Sequence, residues 1–120
     1  MILVDTSVWI DHLRAGVPRL VGALEAGSVC IHPFVIGELA CGNMRNRRTV
    51  LELLSELPTV PVATDAEVLG FIERRSLMGR GIGYFDAHLL ASATLSVTAR
   101  LWTRDKRLAA VAAELDLSFV

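Results

Sequence analysis

Four carboxylates in this sequence stand where they can do chemistry: Asp5, Glu38, Asp86 and Asp105. Asp5 closes the apolar run Ile2-Leu3-Val4, and Asp105 follows Arg100-Leu101-Trp102 by two residues, so each falls just beyond a predicted strand. In an open parallel sheet, ligands bind at that edge, beyond the carboxyl ends of the strands. Glu38 is the one charged residue in the predicted helix Pro33–Gly42, and Asp86 is the one acidic residue in Tyr84–Val97. Both helices are apolar nearly all round, which predicts burial against a sheet, and a charge in such surroundings needs a partner. Carboxylates gathered closely repel one another, and some protonate unless a hard divalent cation neutralises them through oxygen coordination. The set therefore implies Mg²⁺ or Mn²⁺. Such an ion, keeping waters and bridging a phosphate, activates an attacking water and stabilises charge on the phosphorus oxygens. The chemistry this predicts is phosphodiester hydrolysis.

Taken singly, three of the acids have a plainer use. Asp5 is suited to capping the helix that follows, as are Thr6 and Ser7. Asp105 is suited to capping a helix over Asp105–Leu115, and Asp86 is a first-turn acid of the kind the helix dipole favours. Glu38 is harder to explain so, because Phe34-Val35-Ile36-Gly37-Glu38-Leu39-Ala40-Cys41 offers neither a cap position nor a basic residue at helical spacing, and its plainer use is as a buried acid bonded to backbone or to an arginine elsewhere.

The elements that must position these residues form short β-type runs alternating with longer helical stretches, the pattern of an α/β fold around a mostly parallel sheet. The predicted strands are Ile2–Val4, Val29–Ile31, Val60–Val62, Arg100–Trp102 and Ser118–Val120. Helices are predicted to open after Thr6 or Ser7, at Pro18, at Pro33, near Arg47, at Thr64, at Tyr84 and at Asp105, several with proline in the first turn or a Ser, Thr or Asp cap. With 120 residues and no repeat or linker, a single domain over 1–120 is expected.

The segments Ile2-Leu3-Val4-Asp5-Thr6-Ser7, Gly37-Glu38-Leu39, Asp86-Ala87-His88-Leu89-Leu90-Ala91 and Thr103-Arg104-Asp105, in that order across essentially the whole chain, resemble the four signature segments of PIN-domain nucleases. Among these nucleases the likeness is to VapC-type toxins of toxin–antitoxin systems. The resemblance implies a three-layer α/β/α fold with a mostly parallel central sheet, and a site of Asp5, Glu38, Asp86 and Asp105 holding Mg²⁺ or Mn²⁺. It also implies endonucleolytic cleavage of RNA, a small antitoxin partner and a homodimer. Ser7 and Thr103 fall where the family places hydroxyls that assist the acids; helix capping and loop hydrogen bonding are equally open to them. One departure is visible, since Gly79-Arg80-Gly81-Ile82-Gly83-Tyr84-Phe85 lacks the proline often found before the third acid in relatives. That loop is not a dinucleotide-binding glycine motif and reads as a flexible rim of the site.

Composition narrows the field further. The chain is 52% hydrophobic, yet its longest unbroken apolar stretch, Leu108–Ala113, is far short of the roughly 20 residues that span a bilayer. Met1–Val4 runs straight into Asp5 with no basic leader, so the expectation is a soluble, cytoplasmic protein without membrane attachment. Cys30 and Cys41 lie in apolar stretches and read as reduced, packed thiols. The net charge of −1 hides an asymmetry, because with the four acids neutralised by metal the basic residues outnumber the remaining acids. Arg104, Lys106 and Arg107 adjoin Asp105 and are candidate phosphate contacts, whereas Arg45, Arg47 and Arg48 read as a solvated face. His12, His32 and His88 have no paired spacing for zinc, and Trp9 and Trp102 read as core. A response-regulator receiver is a poor fit, because Asp5 has no acidic neighbour and the only lysine is Lys106. A non-catalytic PIN-like module that binds RNA or protein is the remaining rival, and the complete acidic set speaks for catalysis.

Overall fold

Three strands lie parallel in the order β2-β1-β3, with β1 (Ile2–Val4) between β2 (Val29–Cys30) and β3 (Arg100–Trp102). This is a computed structural model, and it describes residues 1–119. The register pairs Ile2 with Val29 and with Arg100, Leu3 with Cys30 and Leu101, and Val4 with Trp102. All three residues of β1 are buried, as expected of a central parallel strand covered on both faces. Seven helices complete the α/β fold: α1 (Thr6–Ala15), α2 (Pro18–Glu25), α3 (Pro33–Ala40), α4 (Arg47–Ser55), α5 (Asp65–Arg75), α6 (Tyr84–Leu95) and α7 (Lys106–Glu114).

Two predicted strands shrink to single bridges, Ile31 to Thr59 and Leu101 to Ser118. The first fails as a strand because Pro58 and Pro61 bring no N–H to a ladder, and Val62 is 50% exposed with no core face to bury. One pair of backbone bonds survives there, Ile31 N–H to the Pro58 carbonyl and Val60 N–H to the Ile31 carbonyl. At the other edge, Phe119 N–H bonds the Leu101 carbonyl; Val120, the end of the predicted run, lies outside the described residues.

The helix starts follow the sequence signals closely. Pro18 and Pro33 occupy first-turn positions, and Thr64 and Glu67 form a reciprocal capping box on α5. His32 caps α3, its Nδ1 accepting the Phe34 N–H at 3.0 Å. Burial departs from expectation for one of the two apolar helices. α6 is enclosed from Ala87 through Ala93, where small residues let it pack on β3 and α5. α3 buries only Val35 and Leu39, leaving Gly37 and Glu38 exposed, because it lies beside α1 and α4 at the margin of the fold. Cys30 is a buried free thiol as expected, whereas Cys41, just past α3, is exposed. Trp9 and Trp102 are core, and Arg19 stacks over the Trp102 and Phe119 rings at 5.5 and 4.5 Å.

The parallel order makes β1 the element on which both neighbours register. Leu3→Ala, at a fully buried position of that strand, is expected to destabilise the chain by about 2–5 kcal/mol in urea denaturation. A loss below about 1 kcal/mol would mean that the sheet does not organise the core.

Candidate active site

Because β1 and β3 run in the same direction, the residues after them emerge at one edge. Asp5 N–H bonds the Trp102 carbonyl at 2.9 Å, which fixes the first acid beside the turn Thr103-Arg104-Asp105. Asp5 stands at the N-cap position of α1 with extended backbone, but its side chain caps nothing. Its Oδ2 instead accepts the hydroxyls of Ser7 at 2.7 Å and Thr103 at 2.8 Å, and the residue is 8% exposed. Both hydroxyls do second work. Ser7 Oγ accepts the Arg104 N–H at 3.0 Å and Thr103 Oγ1 accepts the Asp105 N–H at 3.1 Å, so the turn is stitched to α1 through the oxygens that hold Asp5.

Asp105 does act as a cap, its Oδ1 accepting the N–H groups of Arg107 and Leu108 at 2.9 and 3.1 Å. Asp86, in the first turn of α6, accepts the Gly83 N–H on Oδ2 at 3.0 Å. Glu38 projects from the exposed side of α3. Shielding from water raises the Glu38 pKa most, and Asp5 and Asp86 raise it further, against a lowering by the Thr6 hydroxyl. Shielding likewise raises Asp86, where the Gly83 N–H lowers and Asp5 and Asp105 raise. Among the described residues none of the four is paired with a basic side chain. Nor does any group of three or more His, Cys, Asp or Glu stand close enough to form a ready-made metal cage. Mutual repulsion spreads unneutralised carboxylates, and Mg²⁺, which keeps several waters, needs only one or two of them directly. An oxygen-only, negatively charged donor set with two acids already pushed toward protonation fits a hard divalent cation and no softer metal.

The basic candidates divide. Arg104 is taken up by Asp11 of α1, Nε to Oδ2 at 2.7 Å. Arg107 lies under the glycine loop, and a Cβ on Gly81 would meet its Cδ at 2.6 Å and its Nη1 at 2.8 Å. Lys106 is exposed. The loop itself is an anchored rim: Arg80 makes a bidentate pair with Glu114 of α7, both contacts 2.8 Å. In the other cluster Arg47 is structural, its guanidinium bonding the Ala40 carbonyl at the end of α3. Arg14 and Arg45 line a cavity of about 640 Å³ between α1, α3 and the 42–45 segment, whose floor is Ile10, Leu13, Leu39 and Met44 and whose rim includes Glu38.

Sequence reasoning missed Thr6, whose buried hydroxyl adjoins Glu38, and Asp11, the partner of Arg104. Asp11 lies one helical turn after Ser7, a spacing that places both on one face of α1, so that signal was present. It also missed the buried His32 and His88 and the exposed Asp65 that pairs with His88, residues far apart in sequence.

Comparison with known proteins agrees with a parallel sheet that carries Asp5 and the Thr103-Arg104-Asp105 turn at its carboxyl edge. A family model described as PIN domain matches residues 2–114, and the chain belongs to that family. Over 114 residues, 95% of this chain and 92% of the relative, it is 56% identical to a protein named Ribonuclease VapC32 of Mycobacterium tuberculosis strain CDC 1551 / Oshkosh. The same figures hold for Ribonuclease VapC32 of strain ATCC 25618 / H37Rv.

The raised acids set a pH dependence. A carboxyl whose pKa is higher in the folded chain than in the unfolded one binds protons more tightly when folded, so its stabilisation is present at low pH and is lost as pH rises. For Asp86 and Glu38 the decline begins above the ordinary values of 3.8 and 4.5. Metal-free protein carrying Asp86→Asn keeps an oxygen acceptor for Gly83 and is expected to lose part of this decline, melting at or above the parent temperature near neutral pH. A large fall in metal-free melting temperature would instead make Asp86 a structural residue.

Proposed function

We propose that this chain is a divalent-metal-dependent endoribonuclease of the VapC type, a single catalytic domain over 1–120 that hydrolyses RNA phosphodiester bonds. The observation that carries the reading is the unpaired charge: Asp5, Glu38, Asp86 and Asp105 have no basic side chain among the described residues to neutralise them, and burial together with neighbouring acids raises Glu38 and Asp86. The 56% identity to proteins named ribonuclease supports it from a separate direction.

On this reading the four acids hold Mg²⁺ or Mn²⁺, which when bound activates a water and offsets charge on the scissile phosphate. Ser7 and Thr103 orient Asp5 by donating to one of its oxygens, leaving the other to face the cation. Asp105 divides its carboxylate similarly, one oxygen spent on the cap of α7. Lys106 and Arg107 hold the RNA backbone beside the acids, and Arg104 joins them only by leaving Asp11.

The cavity between α1 and α3 supports a partner as well as a substrate. An apolar floor with Arg14 and Arg45 at its sides and Glu38 at the rim suits an amphipathic segment of a small antitoxin, which would offer its own basic side chain to the acids. Homodimerisation is the second association we propose, through exposed apolar side chains of α5 and α6 such as Leu69, Tyr84 and Phe85. A cytoplasmic place of action suits the free thiols Cys30 and Cys41, and no helix of the described residues is long and apolar enough to cross a membrane.

Purified protein incubated with a panel of structured RNAs is expected to cleave in Mg²⁺ or Mn²⁺ and to stop when a chelator is added. Asp5→Asn should fold and lose at least about a hundredfold in rate, the scale on which charge stabilisation in the transition state acts. Undiminished cleavage by Asp5→Asn sinks the proposal; RNA binding without cleavage in either metal favours the non-catalytic module. The basic residues have their own test. A Lys106→Ala/Arg107→Ala variant is expected to bind RNA more weakly, with a salt slope lower by about 1–2 counterions. An unchanged slope would put the RNA path elsewhere.

A further inference from the structure

The main chain of Arg104 lies against the acids while its charge is held elsewhere. Its N–H bonds Ser7 Oγ at 3.0 Å, and that hydroxyl donates to Asp5 Oδ2 at 2.7 Å, so a single oxygen separates the Arg104 backbone from the first acid. Asp105 is the next residue. From this position a long, flexible side chain can turn toward either carboxylate, where Asp5 Oδ1 and Asp105 Oδ2 accept no hydrogen bond among the described residues. A guanidinium suits such oxygens, since its planar fork of donors matches a carboxylate.

The guanidinium is instead drawn along α1. Its Nε lies 2.7 Å from Asp11 Oδ2, and Asp11 follows Asp5 by six residues, roughly 9 Å further along the helix axis. Ser7 and Asp11, four residues apart, share one face of α1, so the helix grips Arg104 twice: Ser7 takes its main chain and Asp11 its side chain. The two side chains are 47% and 43% exposed, and an ion pair so open to solvent adds little to stability. Its consequence is where it keeps the charge.

We propose that Asp11 is a positioning residue acting through Arg104: it holds the guanidinium away from Asp5 and Asp105 and so keeps their remaining oxygens open to a divalent cation. Without Asp11, Arg104 folds back onto the acids, and guanidinium and cation compete for the same oxygens. The proposal rests on the metal site proposed above. A brace that merely steadied the turn would fail whenever either partner was removed, or both. The role proposed here fails only while Arg104 remains.

The experiment measures Mn²⁺ affinity by calorimetry in the absence of RNA, with thermal unfolding of each variant as the check on its fold. Asp11→Asn is expected to weaken Mn²⁺ binding about fivefold, the upper end of what an exposed ion pair supplies. Arg104→Ala has no charge to release and should bind Mn²⁺ as the parent does. The double variant Asp11→Asn/Arg104→Ala should return to parental affinity. Three results overturn the proposal: parental affinity in Asp11→Asn, a double variant as weak as Asp11→Asn, or a tightening in Arg104→Ala that mirrors the loss in Asp11→Asn, which would be summed charge alone. Asp5→Asn separates the failures. If it abolishes Mn²⁺ binding while Asp11→Asn binds as the parent does, only this inference falls; if Asp5→Asn itself binds Mn²⁺ as the parent does, the metal site falls and the inference with it.

Discussion

The fold turns on one constraint, that strand β1 is hydrogen-bonded on both sides by strands running in its own direction. Asp5, the next residue, is held against Trp102 before its side chain has made any contact. Parallel register then delivers the Thr103-Arg104-Asp105 turn to the same edge, where two hydroxyls three residues or fewer from an acid close on Asp5. Had β3 run the other way, Asp105 would have emerged at the opposite end of the sheet. Topology brings these acids together, against their mutual repulsion.

That repulsion is tolerated because three of the acids have a local task that outlasts it. Asp105 caps α7, Asp86 closes the first turn of α6, and Asp5 anchors the hydroxyls that stitch α1 to the turn. The capping role and the proposed metal role look like rivals in the sequence, yet the cap uses only Oδ1 of Asp105 and would leave its other oxygen to a cation. Glu38 has no such task. Its surroundings, like those of Asp86, push it toward protonation through partial shielding and two neighbouring acids.

Much of this was legible in the sequence, for identifiable reasons. Strand β1, strand β3 and all seven helix starts carry local signals, apolar β-type runs or proline and cap residues, that need no tertiary information. The acids were legible because a carboxylate in an apolar run has few uses. The run Val60–Val62 misled because its valines have β propensity while Pro61 within it and Pro58 before it bring no N–H to a ladder. α3 misled for a different reason: apolar residues all round predict burial, but Gly37 and Ala40 are too small to require it, and the cavity beside α1 leaves that face open. The glycine loop was read as flexible from composition, whereas Arg80 and Glu114, distant in sequence, hold it down. The His32, His88 and Asp65 group was illegible because no spacing along the chain connects its members.

The placement of Arg104 bears on what the site can accept. It adjoins Asp105 in sequence, as Lys106 does, yet its guanidinium is paired with Asp11, on the α1 surface. An arginine bound to the acids would neutralise them from within and compete with any cation for the same oxygens. By giving Arg104 another partner, the fold leaves the four acids without a basic side chain of their own among the described residues. A metal ion accompanied by a phosphate and a basic side chain from a partner are alternative ways of satisfying one charge deficit. On the function proposed above the two exclude one another, because the same unpaired carboxylates would serve either.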